Sequence, residues 1–391
     1  MKILFTLIGN SRRSNYLTGD SIRTGGGGGS GTDTSTILVA EYLASKGHEV
    51  VIVSEELEPL LKEKHQREGN PFKWGDRSHG VIYSNFQFEN VDIKEFDILI
   101  NSLWYQDYDK LPVKITKGLI YWNHMQWLYG LGEIVSFAKT NNLKVGFVHI
   151  SNWEKSQNES TVEAIKNQLE GAISTMIPNP LMDEIINNVT KENIAKKPHK
   201  FIFHASWPRG GNVAVDAVRQ LPYEDKEFHA FDYLMVIHDH RDSFFKLHNG
   251  VDKTTLFRHL AESEYFVYPL YTPYQDVHKD TFSCVVAEAL ALGTTVITYP
   301  LGALPENFDG FVHWLDFPEG ADPELMQKEA LSKDLDGKFK ITSNIVEKIK
   351  FLEANPQVKE EKRIKGREFV MNNFNLEKVG GMWSDFLNKF E

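Results

Sequence analysis

The chain has 391 residues, of which 41% are hydrophobic, and its 43 basic and 54 acidic side chains give a formal net charge of −11. Single hydrophobic cores stop growing below this length, so two domains are expected. The acidic balance argues against a nucleic-acid partner, and no apolar run approaches the length of about 18 residues that a transmembrane helix needs. The one cysteine, Cys284, permits no internal disulfide and favours a reducing, cytoplasmic location.

The N-terminal segment predicts a β-loop-α-β unit. A strand over Lys2 to Ile8 is followed by a glycine-rich stretch, a helix over Thr34 to Lys46 and a strand over Glu49 to Val53. Such units stack into a parallel sheet that binds ligands at the carboxyl ends of its strands.

The glycine-rich stretch allows more than one interpretation. Gly26, Gly28 and Gly31 satisfy G-x-G-x-x-G, and Glu55 lies at about the distance of a ribose-binding acid, so an NAD-binding dehydrogenase is an alternative. That fingerprint should follow its strand immediately, and here a long polar segment intervenes. A flexible surface linker is the other alternative, because glycine maximises backbone freedom.

Four further strands are predicted in the first half of the chain: Phe96 to Asn101, Gly118 to Trp122, Lys144 to His149 and Ser174 to Ile177. His124 follows the second of them, at a strand end. The aromatic stretches Trp104-Tyr105 and Trp122 to Tyr129 could stack on a sugar, although core filling is favoured. Asp107-x-Asp109 matches a short metal motif that is common by chance.

A charged, proline-containing segment from Val189 to Lys200 predicts the domain boundary. We therefore expect domains over residues 1–192 and 193–370, with 371–391 as a C-terminal helix. The second domain opens with a strand over Phe201 to His204, a loop carrying Arg209 and Gly210, and a helix over Val213 to Leu221. A glycine-bearing loop at a helix N-terminus is an anion site, and Arg209 can bind a diphosphate there.

Further strands are predicted over Tyr233 to Ile237 and Tyr265 to Tyr268. Between them, His238 and His240 alternate on a loop without an evident third ligand, which disfavours a metal site. Lys253 is a weaker candidate for a second cation beside a diphosphate.

The segment Asp280 to Gly293 places two carboxylates on a short buried helix that leads into the strand TTVITY. With Asp280 as the predicted N-cap, the amides of Thr281, Phe282 and Ser283 can bind ligand oxygens, and Glu288 can accept from a vicinal diol. The alternative is that Asp280 is only a helix cap and Glu288 only a buried, satisfied carboxylate.

Several of these motifs resemble the GT-B nucleotide-sugar glycosyltransferases, specifically the retaining family 4 type (glycosyl transferases group 1). The resemblance is carried by the segments LVAEYLASKGHEVVIVS, Ile150 to Trp153, Ile177 to Pro180 and EALALGTTVI. Asp280 stands where that family has glutamate, and the family's diphosphate-binding lysine has no clear counterpart.

The resemblance implies an α/β GT-B fold, with two Rossmann-like domains facing a cleft and a C-terminal helix that crosses back to the N-terminal, acceptor-side domain. It implies transfer of a sugar from a UDP- or GDP-sugar to a glycan or other small hydroxyl acceptor, with retention of configuration and without a metal or other cofactor. The alternatives left open are a sugar-nucleotide epimerase, an inverting transferase with a base among Asp107, Asp109 and His124, and a non-catalytic sugar-nucleotide binder.

The same resemblance implies roles for individual residues. Glu288 would bind the ribose, and Asp280 with the following amides would bind the donor sugar. Arg209, Gly210 and Lys253 would neutralise the diphosphate, and His124 would lie near the reacting centre. A mobile loop containing Gly27, Gly28, Gly29 and Ser30 would close near the donor phosphates or the acceptor.

Overall fold

The computed structural model describes residues 1–7, 18–24, 30–54, 74–102, 107–232, 242–270, 279–317 and 341–391. The chain divides into two compact units, the first formed by Met1–Met182 with Phe374–Glu391 and the second by Asp183–Asn373. Each contains one sheet with helices around it, which confirms the expected α/β class.

Among the described residues, the sheet of the first unit has eight strands in the order β3-β4-β2-β1-β5-β6-β7-β8. All neighbours pair in parallel except β3 and β4. The strands are β1 (Lys2–Leu7), β2 (Glu49–Ser54), β3 (Arg77–Ser78), β4 (Val81–Asn85), β5 (Glu95–Asn101), β6 (Lys114–Asn123), β7 (Lys144–His149) and β8 (Ile173–Met176). Consecutive residues of the central strands are buried, because helices cover both faces of a parallel sheet.

The helices of this unit are α1 (Gly19–Thr24), α2 (Gly31–Ser45), α3 (Leu131–Asn141) and α4 (Asn152–Lys166). Ser30 caps α2 by accepting from the amide of Asp33, and the Asp33 carboxylate accepts from the amide of Ser30. This reciprocal pair satisfies two of the donors that a helix N-terminus leaves open. It fixes where α2 begins after the glycine-rich stretch.

The C-terminal helix also belongs to the first unit, as the family resemblance implied. Glycines on β6 and β7 leave room for two aromatic rings of the C-terminus, since a Cβ on Gly146 would lie 2.8 Å from Phe390 and 2.9 Å from Phe386. A Cβ on Gly380 would likewise collide with the ring of Tyr42 on α2. The C-terminal segment therefore packs against the sheet and α2 at backbone distance.

In the part of the second unit that the structure describes, six strands form a fully parallel sheet in the order β11-β10-β9-β12-β13-β14. Its strands are β9 (Lys197–Phe203), β10 (Glu227–Asp232), β11 (Phe245–Asn249), β12 (Ser263–Tyr268), β13 (Thr295–Thr298) and β14 (His313–Trp314). Its helices are α5 (Asp183–Lys191), α6 (Gly211–Arg219), α7 (Lys253–Glu262), α8 (Cys284–Ala291), α9 (Leu304–Phe308), α10 (Ile341–Ala354) and α11 (Pro356–Asn373), and α12 (Leu376–Leu387) then returns to the first unit.

The unit boundary and the sequence-based domain boundary differ. The sequence places the boundary after residue 192, whereas α5, which ends at Lys191, belongs to the second unit because it packs against α7. The strand predicted over Tyr233 to Ile237 lies outside the described residues, and the preceding strand β10 was not predicted. Among the described residues, no helix is both long enough and apolar enough to cross a membrane.

Candidate functional site

The second unit gathers titratable side chains on the segments that follow its parallel strands. His204 comes directly after β9, Lys253 begins α7 after β11, and Glu288 lies on α8, between β12 and β13. Since ligands of open parallel sheets bind outside the carboxyl ends of the strands, this edge is where a binding site is expected.

Glu288 is the centre of this group. Its carboxylate accepts from the Lys253 ammonium, with 2.8 Å between Nζ and Oε1, and the His204 Nε2 atom lies 3.6 Å from its other oxygen. Only 9% of the Glu288 side chain is exposed. Burial alone would raise the pKa of Glu288, but Lys253 and His204 outweigh it and lower that pKa to about 2. Glu288 is therefore a buried carboxylate that stays ionised.

His204 is almost fully buried beside this carboxylate. Burial lowers its pKa, and Glu288 opposes that shift only in part. The imidazole is therefore neutral at physiological pH. The positive charge that balances Glu288 comes from Lys253, the residue that the sequence marked as a weak candidate.

Arg209 and Asp280 form a second ion pair on the same edge. The Arg209 guanidinium donates to Asp280 Oδ1 and to the Tyr268 hydroxyl, the latter at 3.0 Å. Tyr268 in turn donates to Asp280 Oδ2 at 3.0 Å. Asp280 is 4% exposed and Arg209 is 34% exposed, so the carboxylate is buried and the guanidinium reaches solvent.

Asp280 is not the N-cap of the following helix, which corrects the sequence-based expectation. The helix α8 begins at Cys284 with Ser283 as its N-cap, and its first hydrogen bond runs from the amide of Ala287 to the carbonyl of Ser283. Asp280 cannot cap the helix because its two carboxylate oxygens accept hydrogen bonds from Arg209 and Tyr268. Its backbone carbonyl accepts from the amide of Ala303 at 2.8 Å.

Ser283 has two features that mark the start of α8. Its φ of 74° places it in the left-handed region, which is uncommon for a residue with a side chain. Its hydroxyl is buried and has no hydrogen-bond partner among the described residues. Strained backbone and an unsatisfied buried hydroxyl at a helix N-terminus are typical of a ligand site.

Thr281 and Phe282 do not lie on α8, which begins after them. Phe282 is buried with its ring 6.2 Å from that of Phe308, and its carbonyl accepts from the Asn307 side chain at 3.3 Å. It therefore anchors the segment in the core.

Two glycines let backbones approach at this edge. Gly302 has a φ of 63°, and a Cβ there would lie 2.9 Å from the Asp280 nitrogen and would collide with the Asp280 carbonyl oxygen. Gly210, the N-cap of α6, has a φ of 113°, and its Cβ would lie 2.9 Å from Pro269. Only glycine meets both requirements, namely positive φ and no side chain. Gly302 thus helps to set the position of Asp280.

In the first unit a buried carboxylate organises the strand ends near His124. Glu154 is fully buried and accepts from His149 Nδ1 at 2.9 Å, from Asn158 at 2.8 Å and from Asn123. Asn123 and His149 are the last residues of β6 and β7. Burial raises the pKa of Glu154, and the hydrogen bond from His149 partly offsets that rise.

The same network holds the segment that follows β6. Asn123 donates to the carbonyl of Met125 at 2.8 Å, and Asn158 donates to that of Gln126 at 2.9 Å while accepting from the amide of Leu128 at 3.1 Å. Two buried side chains, Asn123 and Asn158, thus bind the backbone of residues 125–128, and Glu154 holds both of them, so the segment is preorganised.

His124 begins this segment and is 6% exposed, with its ring 4.6 Å from that of Trp122. Burial lowers its pKa to about 3, so the imidazole is neutral. Trp122 is fully buried, as the core-filling interpretation predicted, whereas Trp127 and Tyr129 are 51% and 44% exposed.

The remaining sequence candidates lie elsewhere. Gly27, Gly28 and Gly29, together with His238, His240, Trp104 and Tyr105, fall outside the described residues. Ser30 caps α2, and Asp107 pairs with Lys110 at the exposed surface, with 3.0 Å between their charged atoms. Sequence reasoning gave no role to Tyr268, His204 or Glu154. For Tyr268 and His204 the local signal is a polar side chain at or just after a strand end, whereas Glu154 lies in the first turn of α4.

No protein-family model matches the sequence, and no curated protein sequence matches it significantly. Solved structures do match. The chain is 12% identical to sucrose-phosphate synthase from Thermosynechococcus elongatus, with a TM-score of 0.63 over 99% of this chain and 98% of that chain. It is also 12% identical to HepE from Anabaena in complex with UDP and glucose, with a TM-score of 0.59 over 99% of both chains.

The chain has the GT-B fold. A third GT-B match is an alpha-glucosyltransferase in complex with UDP-glucose and DNA containing an abasic site, at 10% identity and a TM-score of 0.55, covering 99% of this chain and 98% of that chain. These structural matches establish the fold that the sequence motifs implied, and assignment to family 4 stays a prediction.

Proposed function

We propose that this protein is a glycosyltransferase that transfers a sugar from a nucleoside-diphosphate sugar, UDP- or GDP-linked, to a hydroxyl acceptor with retention of configuration. The observation that carries the proposal is the buried Glu288, kept ionised by Lys253 and His204 at the ligand-binding edge of a parallel sheet. Burying an ionised carboxylate is costly unless a well-matched partner offsets the desolvation, and for Glu288 the Lys253 ammonium is that partner.

The donor-binding roles follow from hydrogen-bonding capacity. An ionised carboxylate offers only acceptors, so Glu288 suits the two hydroxyls of a ribose. Arg209 and Lys253 carry the positive charge that a diphosphate requires, and Arg209 reaches solvent. The Ser283 hydroxyl and the N-terminal amides of α8 can donate to the donor sugar or its phosphates.

Arg209 and Lys253 are paired with Asp280 and Glu288, so the site is close to electrically balanced before a donor arrives. As the glycosidic bond to phosphate breaks, negative charge grows on the departing diphosphate. Preorganised cations and helix dipoles stabilise this charge without a metal ion. We propose no carboxylate nucleophile, and retention is proposed to arise by attack of the acceptor on the face that the diphosphate leaves.

The first unit is proposed to bind the acceptor. Trp127 and Tyr129 are exposed on a segment that Asn123 and Asn158 hold in place, and exposed aromatic rings are suitable stacking surfaces for sugars. The neutral His124 can donate a hydrogen bond to the substrate or accept one from it, but it supplies no positive charge. The net charge of −11 favours a glycan or small hydroxyl acceptor over DNA.

Calorimetric titration of the full chain with UDP, GDP, ADP and NAD tests the donor site. We expect one nucleoside diphosphate to bind, and Glu288→Gln to weaken it by at least about tenfold, the equivalent of one lost charge-assisted hydrogen bond of about 1.5 kcal/mol. The matched control is Glu192→Gln, which alters an exposed ion pair with Arg258 in the same unit. Binding of NAD alone, or equal effects of the two variants, would contradict the proposal.

Product analysis tests the reaction itself. Once the titration has identified the nucleotide of the donor, the corresponding sugar nucleotide is incubated with oligosaccharides and with duplex DNA. The anomeric configuration of the product is then determined by NMR. An α-donor giving an α-product supports retention, and a β-product supports the inverting alternative. Isomerisation of the sugar nucleotide without any acceptor would indicate an epimerase instead.

A further inference from the structure

Three histidines of the second unit converge on one point outside the proposed donor site. His229 lies on β10, His248 on β11 and His259 on α7. One potential ligand atom from each residue lies within 4.8 Å of the other two. The rings of His248 and His259 have centroids 4.6 Å apart, and that of His229 lies 5.1 Å from His248 and 5.0 Å from His259.

The hydrogen bonds of His229 fix which of its nitrogens is available. Its Nε2 lies 3.2 Å from a carboxylate oxygen of Glu227 and must donate to it, because an ionised carboxylate only accepts. Its Nδ1 therefore carries a lone pair, and this atom lies 2.9 Å from Nε2 of His248. A carboxylate that orients a histidine in this way is the usual outer partner of a metal-binding imidazole.

Lysines from β9 surround the group. The Lys200 ammonium lies 3.1 Å from Nδ1 of His259 and also pairs with Glu262, while Lys197 pairs with Glu227 at 2.9 Å. The positive charges of the two lysines are therefore neutralised by the negative charges of the two glutamates. Burial, with a further contribution from Lys200, lowers the pKa of His229 to about 3 and that of His259 to about 4, so these rings are neutral and retain a lone pair.

We propose that His229, His248 and His259 form a binding site for a divalent transition-metal ion of the zinc type, which ties the edge strand β11 to β10 and α7. Imidazole is a preferred ligand of Zn²⁺, Ni²⁺ and Cu²⁺, and three histidines leave a fourth position for water or a carboxylate. The site is structural, and its existence does not depend on the proposed transferase activity.

The geometry requires small adjustments. Two nitrogens on a tetrahedral zinc ion lie about 3.4 Å apart, given zinc–nitrogen bonds of about 2.0 to 2.1 Å. The two nitrogens that lie 2.9 Å apart must separate slightly, and the widest pair, within 4.8 Å, must close by rotation of the partly buried His248 and His259 rings. His248 moves its proton from Nε2 to Nδ1, so no net proton is released there. With Nδ1 of His259 as the ligand atom, the Lys200 ammonium moves away from that nitrogen and retains its ion pair with Glu262.

Metal titration of the full chain tests the site after treatment with a chelator and dialysis. We expect one Zn²⁺ per chain by calorimetry, and Co²⁺ to give the visible absorption of a four-coordinate nitrogen site. His248→Ala should abolish binding. Glu227→Gln should weaken it by about 10 to 100-fold because the orienting carboxylate is lost. Lys200→Met should tighten it, since a competing ammonium is removed.

Two control variants make the assignment specific. His79→Ala alters a histidine of the first unit that is 40% exposed, and His238→Ala with His240→Ala removes two histidines of the same unit as the cluster. Both should bind Zn²⁺ like the unmodified chain. Absence of binding to the unmodified chain, retention of binding by His248→Ala, loss in the His238/His240 double variant, or no gain in Lys200→Met would overturn the proposal. The Co²⁺ spectrum of the unmodified chain tests the site even if a variant fails to fold.

Discussion

Replacing Lys253 by methionine tests whether the charge on Glu288 depends on one ammonium. Methionine preserves an apolar stem beside Phe257, whose ring centroid lies 5.3 Å from the Lys253 nitrogen, but removes the donor that lies 2.8 Å from Glu288. The buried carboxylate is then left with His204 as its remaining named partner. Removing one member of a buried ion pair leaves an uncompensated charge, which costs about 3 to 5 kcal/mol.

The pKa of Glu288 gives a second route to the magnitude. It is lowered from 4.5 to about 2, and each pKa unit is worth about 1.36 kcal/mol, so ionised Glu288 contributes on the order of 3 kcal/mol to folding. Because the folded-state pKa is the lower one, this contribution is complete above pH 4.5 and is lost as the pH falls towards 2. Between pH 4.5 and 2, the free energy of unfolding of Lys253→Met should therefore fall less than that of the unmodified chain.

The assay is urea denaturation of the full chain across this pH range. Lys253→Met should lower the free energy of unfolding at neutral pH by about 3 kcal/mol, and Lys253→Met with Glu288→Met should recover most of it, since an apolar pair can replace a buried ion pair. The control Arg258→Met removes an exposed pair with Glu192 and should cost about 0 to 1 kcal/mol. Equal costs for Lys253→Met and Arg258→Met, with an unchanged acid profile, would refute the reasoning.

Three other substitutions have defined outcomes. Gly302→Val should displace Asp280, because its Cβ would collide with the Asp280 carbonyl, and the affinity for a nucleoside diphosphate should fall. The control is Gly310→Val, at a φ of 84° with no atom within 4 Å of the added Cβ. It shares the backbone strain without the collision and should retain the affinity. Phe386→Ala should lower the free energy of unfolding by about 3 to 5 kcal/mol in denaturant titration, since a fully packed aromatic ring is lost, and a cost near zero would contradict its docking role. Asn158→Leu removes two hydrogen bonds to the backbone of residues 126 and 128, so hydrogen exchange of the amide at position 128 should accelerate, and unchanged exchange would show that the network does not hold this segment.

The parts of the fold that the sequence predicted are those encoded by short-range patterns. The segment containing Glu288 carries an apolar helix pattern followed by β-branched residues, and it forms α8 and β13 as expected. The C-terminal helix is amphipathic, and its assignment to the first unit was available only from the family resemblance. The structure supplies the physical reason, since Gly146 and Gly380 admit aromatic rings where any Cβ would collide.

The contacts of the candidate site were less predictable, because they join residues that are distant in sequence. Lys253 reaches Glu288 across 35 positions, and Arg209 reaches Asp280 across 71. No local pattern marks either pair. Tyr268 illustrates the same limit, since a tyrosine at the end of an apolar strand is indistinguishable in sequence from a core residue, yet its hydroxyl links Arg209 to Asp280.

Asp280 shows how the structure changes the interpretation of a motif. A glutamate is expected at this position from the family resemblance, and the shorter aspartate would reach less far toward a sugar. Here both carboxylate oxygens are engaged by Arg209 and Tyr268, and the backbone is held by the amide of Ala303 and the close approach of Gly302. Because both of its oxygens are already hydrogen-bonded, Asp280 is better placed to orient Arg209 than to bind a sugar hydroxyl. In the proposed transferase, Asp280 would therefore position the Arg209 guanidinium for the departing diphosphate.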